Sequence, residues 1–153
     1  MKDVIEQSLL LEAPRDRVWS AISEPSGLTG WFCELGVEGE IAEGQDVILC
    51  FPMSPSTNED GRCRAKIVAI EPKTRFAYRW WPGTCSVAEI DDTKSTLVEL
   101  LLSDKGEGTL VTVRESGFTS LPDDWAGYSY GQNDEGWAEC LTMLEKYAKA
   151  FGA

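Results

Sequence analysis

Trp137, Cys140, Leu141, Leu144, Tyr147, Ala148 and Phe151 recur at three- and four-residue steps, while Glu139, Thr142, Lys146 and Lys149 fall on the opposite face. That spacing describes a long amphipathic helix at the C-terminal end of the chain. A helix so apolar on one side has to bury that side, and the partner on offer is a sheet. From about residue 33 to 117 the text is strands and turn signals, with residues 46–51, 63–70, 75–81, 95–102 and 109–116 reading as strands. Residues 52–61 form a polar loop, and Pro82-Gly83 closes a strand. Glu71-Pro72-Lys73-Thr74 is a turn whose proline presets φ, and residues 104–108 connect a hairpin.

Ahead of this block, residues 3–12 partly alternate and predict a first strand. A short helix follows, with Pro14 suited to its first position, Asp16 in its first turn, and Val18, Trp19, Ala21 and Ile22 as its apolar face. Residues 24–27 stop it and residues 28–32 make a second helical turn. Residues 118–132 read as a long loop carrying Trp125, Tyr128 and Tyr130, the kind of segment that is a lid or packs on something. Asn133 is placed to cap the last helix, with Asp134 and Glu135 in its first turn.

Composition narrows the chemistry. With 153 residues the chain is expected to be a single domain, and no apolar run approaches a membrane span. The first residues carry scattered charge, so no leader peptide is expected. Net charge is −12, which repels phosphate backbones and anionic headgroups, so neither nucleic acid nor a membrane surface is an expected partner. The chain has no histidine, which removes Ser–His and Cys–His nucleophile pairs and the commonest metal ligand. Cys33, Cys50, Cys63, Cys85 and Cys140 are odd in number, widely spaced and lack a Cys-x-x-Cys pair; they read as buried free thiols in a reducing cytoplasm. Asp91-Asp92 and Asp123-Asp124 lack the spacing of a calcium loop, and Gly106-x-Gly108 has no helix after it to receive a phosphate. No metal and no cofactor is expected.

The order strand, two short helices, six strands, long helix resembles the Bet v 1-like (START/SRPBCC) superfamily. Within it the chain resembles the bacterial homologues of the heat-shock chaperone ATPase activator. The residues that carry this are Ala13-Pro14-x-x-x-Val18-Trp19, Trp31-Phe32, Glu71-Pro72-x-x-Arg75-Phe76-x-Tyr78-x-Trp80 and Ser95-Thr96-Leu97-Val98. Thr109-x-Val111-x-Val113-x-Glu115-Ser116-Gly117-Phe118 and Asn133-x-x-Gly136-Trp137-x-x-x-Leu141-x-x-Leu144 complete the set. The resemblance implies an α+β helix-grip fold: a curved antiparallel sheet of six to seven strands around the C-terminal helix, with two short helices between the first two strands. It carries no catalytic motif.

Alternation splits Phe76, Tyr78 and Trp80 from Ala77, Arg79 and Trp81. The family match implies that the first set faces the long helix, together with Val98, Leu100 and Leu102, and with Val111, Val113 and Glu115. Periodicity leaves residues 97–102 undecided, since both faces are apolar there. With Trp137, Leu141 and Leu144, and with Trp31 and Phe32 at the mouth, these residues either line a cavity or fill a solid core. Glu115 is either an inward carboxyl with a raised pKa or a carboxylate paired with Arg64 or Arg79 or exposed at a strand end. Tyr78 either offers its phenol to a ligand or packs with a satisfied hydroxyl. Glu99 is expected on the outer face in solvent.

Three functions fit these residues. The first is a binding or carrier protein for a small apolar or aromatic ligand. The second is a cyclase- or aromatase-like enzyme using Glu115 and Tyr78, for which Glu115→Gln abolishes turnover but leaves stability nearly intact. The third is a protein-interaction, co-chaperone-like module. The absence of histidine and of a catalytic motif tells against the enzyme.

Overall fold

Residues 2–52, 61–81, 93–121 and 123–151 are described by a computed structural model of the chain, the side chains of 123–125 and 151 excepted. Most of the loop expected at 52–61 lies outside the described residues. So do Pro82-Gly83, Asp91-Asp92, Cys85, and the side chains of Asp123, Asp124, Trp125 and Phe151.

The alternating segments pair into one antiparallel seven-stranded sheet of order β1-β7-β6-β5-β4-β3-β2. Its strands are β1 (Val4–Leu11), β2 (Gly36–Glu38), β3 (Asp46–Cys50), β4 (Arg62–Glu71), β5 (Arg75–Trp80), β6 (Thr96–Lys105) and β7 (Gly108–Ser116). Helices α1 (Arg15–Ser23) and α2 (Pro25–Trp31) connect β1 to β2, and α3 (Asp123–Phe151) ends the chain. This is the expected α+β helix-grip arrangement, with the glycine-punctuated stretch after residue 33 supplying the short edge strand β2.

Register settles the face that periodicity left open. Leu100 lies opposite Phe76 and Val113, and Val98 opposite Tyr78 and Glu115, all of them buried. Leu97 and Leu101 take the outer face and are half-buried. Trp137, Leu141, Leu144 and Ala148 of α3 are buried in the same core as Ile5, Val98, Leu100, Val111 and Val113. Each such side chain contributes about 1.5–3 kcal/mol on leaving water.

Helix α2 is held by close approach on two sides. A Cβ on Gly27 would meet the Ser20 carbonyl oxygen of α1 at 2.3 Å, and one on Gly30 would meet the Tyr147 ring of α3 at 2.2 Å. The Trp31 indole also donates to the Ala21 carbonyl, at 2.7 Å.

Several expectations are corrected. The long loop at 118–132 is a single 3₁₀ turn, Phe118–Ser120, after which α3 begins ten residues ahead of Asn133. The buried positions of that added stretch are Ala126 and Ser129, and Gly127 and Gly131 weaken its propensity, so no apolar stripe announced it. Asn133 is therefore an interior helix residue, free to bond elsewhere. Pro14 is the N-cap of α1 rather than its first residue, and Pro25 opens α2 instead of only closing α1. The hairpin narrows to Gly106-Glu107, because Lys105 still pairs with Gly108. Glu99 is on the outer face as expected but not solvated: it takes a 2.8 Å bond from Arg75 and is 17% exposed. Cys33, Cys50 and Cys140 are free, whereas Cys63 is disulfide-bonded. Number and spacing along the chain carry no information about which thiols the fold brings together.

Candidate functional site

The period of β7 sends Thr109, Val111, Val113 and Glu115 to the inner face, so the fourth inward residue of the strand is a carboxylate with no exposure at all. Its register partners are Ile5 on β1 and Val98 on β6, and neither offers a polar group. The bonds come from elsewhere. The Trp80 indole N–H of β5 donates to Glu115 Oε2 at 2.9 Å, and the Thr96 hydroxyl of β6 donates to the same oxygen at 2.6 Å. The Asn133 amide and the Trp137 indole N–H, both of α3, donate to Oε1 at 2.8 Å each.

Thus one oxygen is held by the sheet and the other by the helix, and all four acceptor positions of the carboxylate are filled. None of these donors is a cation. Arg64 pairs instead with Asp46 at 2.7 Å, and Arg79 reaches the Ser95 hydroxyl at 3.5 Å, so the expected ion pair does not form. Burial pushes the Glu115 carboxyl above its ordinary value, while the bonds from Thr96, Trp137, Trp80 and Asn133 pull against that rise.

Around this carboxylate stands an aromatic cluster. Phe32 stacks on Trp137 at 5.4 Å between centroids and on Trp31 at 5.2 Å, and meets Phe51 edge-on at 5.1 Å. Trp80 lies 6.2 Å from Trp137 and makes an edge contact with Tyr78 at 5.2 Å.

Phe32 also forms part of a second compartment. An apolar hollow of about 10 Å³ lies between α2, the 39–45 segment and strands β3 to β5. Leu28, Phe32, Ile41, Val47, Leu49, Ala65, Ile67, Phe76 and Tyr78 line it. A space of that size holds on the order of one water. Tyr78 is 2% exposed, and its hydroxyl has no hydrogen-bond partner. Burial, and secondarily the charge of Glu115, push its phenol well above the ordinary value, so it is a donor and not a base.

Of the residues expected to line a cavity, Phe32, Phe76 and Tyr78 do so. Trp31, Val98, Leu100, Val111, Val113, Leu141 and Leu144 are packed core, and Trp80, Glu115 and Trp137 form the polar cluster. Ile41, Val47, Leu49, Ala65 and Ile67 were missed. For the last four the signal lies in the alternation of residues 46–51 and 63–70, whereas Ile41 belongs to neither strand.

Among the described residues no cluster of three His, Cys, Asp or Glu side chains is placed to hold a metal, and no helix is long and apolar enough to cross a membrane.

The sequence profile of the Activator of Hsp90 ATPase homolog 1-like protein family matches residues 12–149. No curated protein sequence matches the chain. Among solved structures, a protein from Mesorhizobium loti superposes with a TM-score of 0.75 at 19% identity, over 96% of this chain and 97% of its own. The Aha1 dimer from Colwellia psychrerythraea gives 0.71 at 15% identity, covering 94% of each chain. DynU16, of the dynemicin biosynthetic locus, gives 0.73 at 20% identity over 99% of this chain, which spans 49% of DynU16. At these identities the likeness is one of fold.

Proposed function

We propose, from the premise that this chain belongs to the family of Activator of Hsp90 ATPase homolog 1-like proteins, that it binds a small apolar or aromatic ligand inside the fold. The ligand occupies a compartment that widens from the hollow beneath α2. The observation that carries this reading is the apolar hollow itself, one of whose lining residues, Tyr78, has a buried hydroxyl without a partner among the described residues. The hydroxyl lends the hollow no polar surface as it stands, so a ligand reaches it only once the cover moves. An acceptor placed there would then remove the cost of about 1–3 kcal/mol that an unpartnered buried hydroxyl carries. The lining itself calls for a hydrocarbon or aryl body, to which a carbonyl or ether oxygen is added for the phenol.

The hollow as it stands is too small for such a body. Its cover is Leu28 of α2, Phe32 at the C-cap of that helix and Ile41 from the 39–45 segment, and these have to give way on binding. Phe32 is the partition whose displacement would join the hollow to the face of Trp137. The position of DynU16 in a biosynthetic locus supports a small-molecule ligand for this fold. The enzyme reading draws less support from Glu115, whose four acceptor positions face protein donors and not the hollow.

Titration with a neutral naphthylamine dye tests the proposal, since a net charge of −12 would repel an anionic one. Saturable one-to-one binding is expected, displaced by aryl ketones more strongly than by the matching hydrocarbons. Tyr78→Phe should remove that preference, a loss of about fivefold for one neutral hydrogen bond. Absence of saturable binding by the wild-type protein would overturn the reading.

A further inference from the structure

The four partners of Glu115 are not equivalent in what else they can do. The indole N–H groups of Trp80 and Trp137 only donate. The Thr96 hydroxyl can turn and accept, and the Asn133 amide can flip to present its carbonyl oxygen. Each carboxylate oxygen therefore carries one fixed donor and one reversible partner: Trp80 and Thr96 on Oε2, Trp137 and Asn133 on Oε1.

A proton added to Oε2 has Thr96 Oγ1 to point at, and one added to Oε1 has Asn133 Oδ1. In either case the protonated oxygen keeps a lone pair for its indole. We infer that Glu115, Thr96 and Asn133 form a proton-binding site, built so that sheet and helix stay joined through Trp80 and Trp137 whether or not the proton is bound.

The surroundings favour such a site. Every bond to the carboxyl comes from a neutral group, so no cation holds it ionised. Burial raises the proton affinity of the group; Tyr78 of β5 feels its charge, and the other titratable groups acting on Tyr78 are Cys140 of α3 and Cys33 after α2. Burial lifts all three above their ordinary values, so they stay neutral where a carboxylate titrates. From β1 and β6 the facing residues are Ile5 and Val98, which carry no charge. An amide at position 115 could not do the same: its NH₂ would face an indole that cannot accept, whichever way it turned.

The test is carbon-13 NMR of the Glu115 carboxyl in the whole chain, followed from acid to neutral pH beside the two indole N–H resonances. The carboxyl is expected to titrate in one step centred above the ordinary carboxylate value, with both indole protons protected from exchange throughout. Thr96→Val should move the midpoint up by about one unit, roughly the worth of one charge-assisted bond lost from the ionised form, and leave the indole protection in place. A midpoint at or below the ordinary value overturns the proposal, and so does loss of either indole's protection in the same step. A midpoint unmoved by Thr96→Val would show that the hydroxyl is not part of the site.

Discussion

Phe32 separates two interiors built on opposite terms. On the Trp137 side a carboxylate has all four of its acceptor positions met, two from the sheet and two from α3. On the Ile41 side the surface of the hollow is wholly apolar, and one of its lining residues, Tyr78, has a buried hydroxyl with no partner among the described residues. The first arrangement ties helix to sheet. The second leaves a small void and, next to it, a polar group unmet. Rigidity and receptivity thus sit about one ring apart, and the ring belongs to both.

If the contrast is real, substitutions on the two sides should differ in kind. Glu115→Ala orphans three buried donors and the half-buried amide of Asn133 at once, and is expected to lower unfolding free energy by about 4 kcal/mol or more, a large part of a typical domain's stability. Urea denaturation would measure it, and a loss under about 1 kcal/mol would dissolve the contrast. Glu115→Gln keeps shape and orphans one indole, for an expected loss of about 2–3 kcal/mol. The mutation is therefore a stability mutation, not the silent one that an acid/base role at this position requires.

The third effect is a slope. Because burial raises the folded-state value of Glu115 above 4.5, the folded chain holds a proton that the unfolded chain has released. Its contribution is fully present below 4.5 and declines as pH rises through the folded value. Wild-type stability minus that of Glu115→Gln should accordingly fall across that window, by at most about 1.4 kcal/mol per pH unit. A flat difference, or one that rises with pH, would mean that the bonds outweigh the burial. The smallest effect belongs to the other side of Phe32. Tyr78→Phe removes an unsatisfied hydroxyl, so stability should stay the same or rise by up to about 1 kcal/mol, read from thermal melts. A loss above that range would show that the phenol has a structural partner.

Strand alternation and the three- and four-residue stripe made the strands and the long helix legible, while the helix-grip arrangement and the inward set Phe76, Tyr78 and Trp80 came from the family resemblance. What stayed hidden was whatever depends on convergence. Trp80 and Trp137 lie 35 and 22 residues from Glu115, and a sequence does not show two distant indoles meeting at one carboxyl. The first turns of α3 were illegible for a related reason. Asn133 faces inward because Glu115 is there to receive it, so the stripe breaks in polarity without breaking in period. The hollow is lined from α2, the 39–45 segment and three strands, a convergence that composition does not register.

The glycine contacts of α2 bear on how such a hollow could ever be reached. With Gly27 against the backbone of α1 and Gly30 under the Tyr147 ring, α2 has no slack to press inward, and a larger side chain at either place would lever it off its two neighbours. The opposite rim is tied to β4 by the backbone bonds from Gly44 to Ile67 and from Ile67 to Gln45, and by the bond from the Ile70 amide to Glu43. On the proposed ligand reading, passage past Ile41 leaves that wedge of two glycines in place, whereas passage past α2 undoes it.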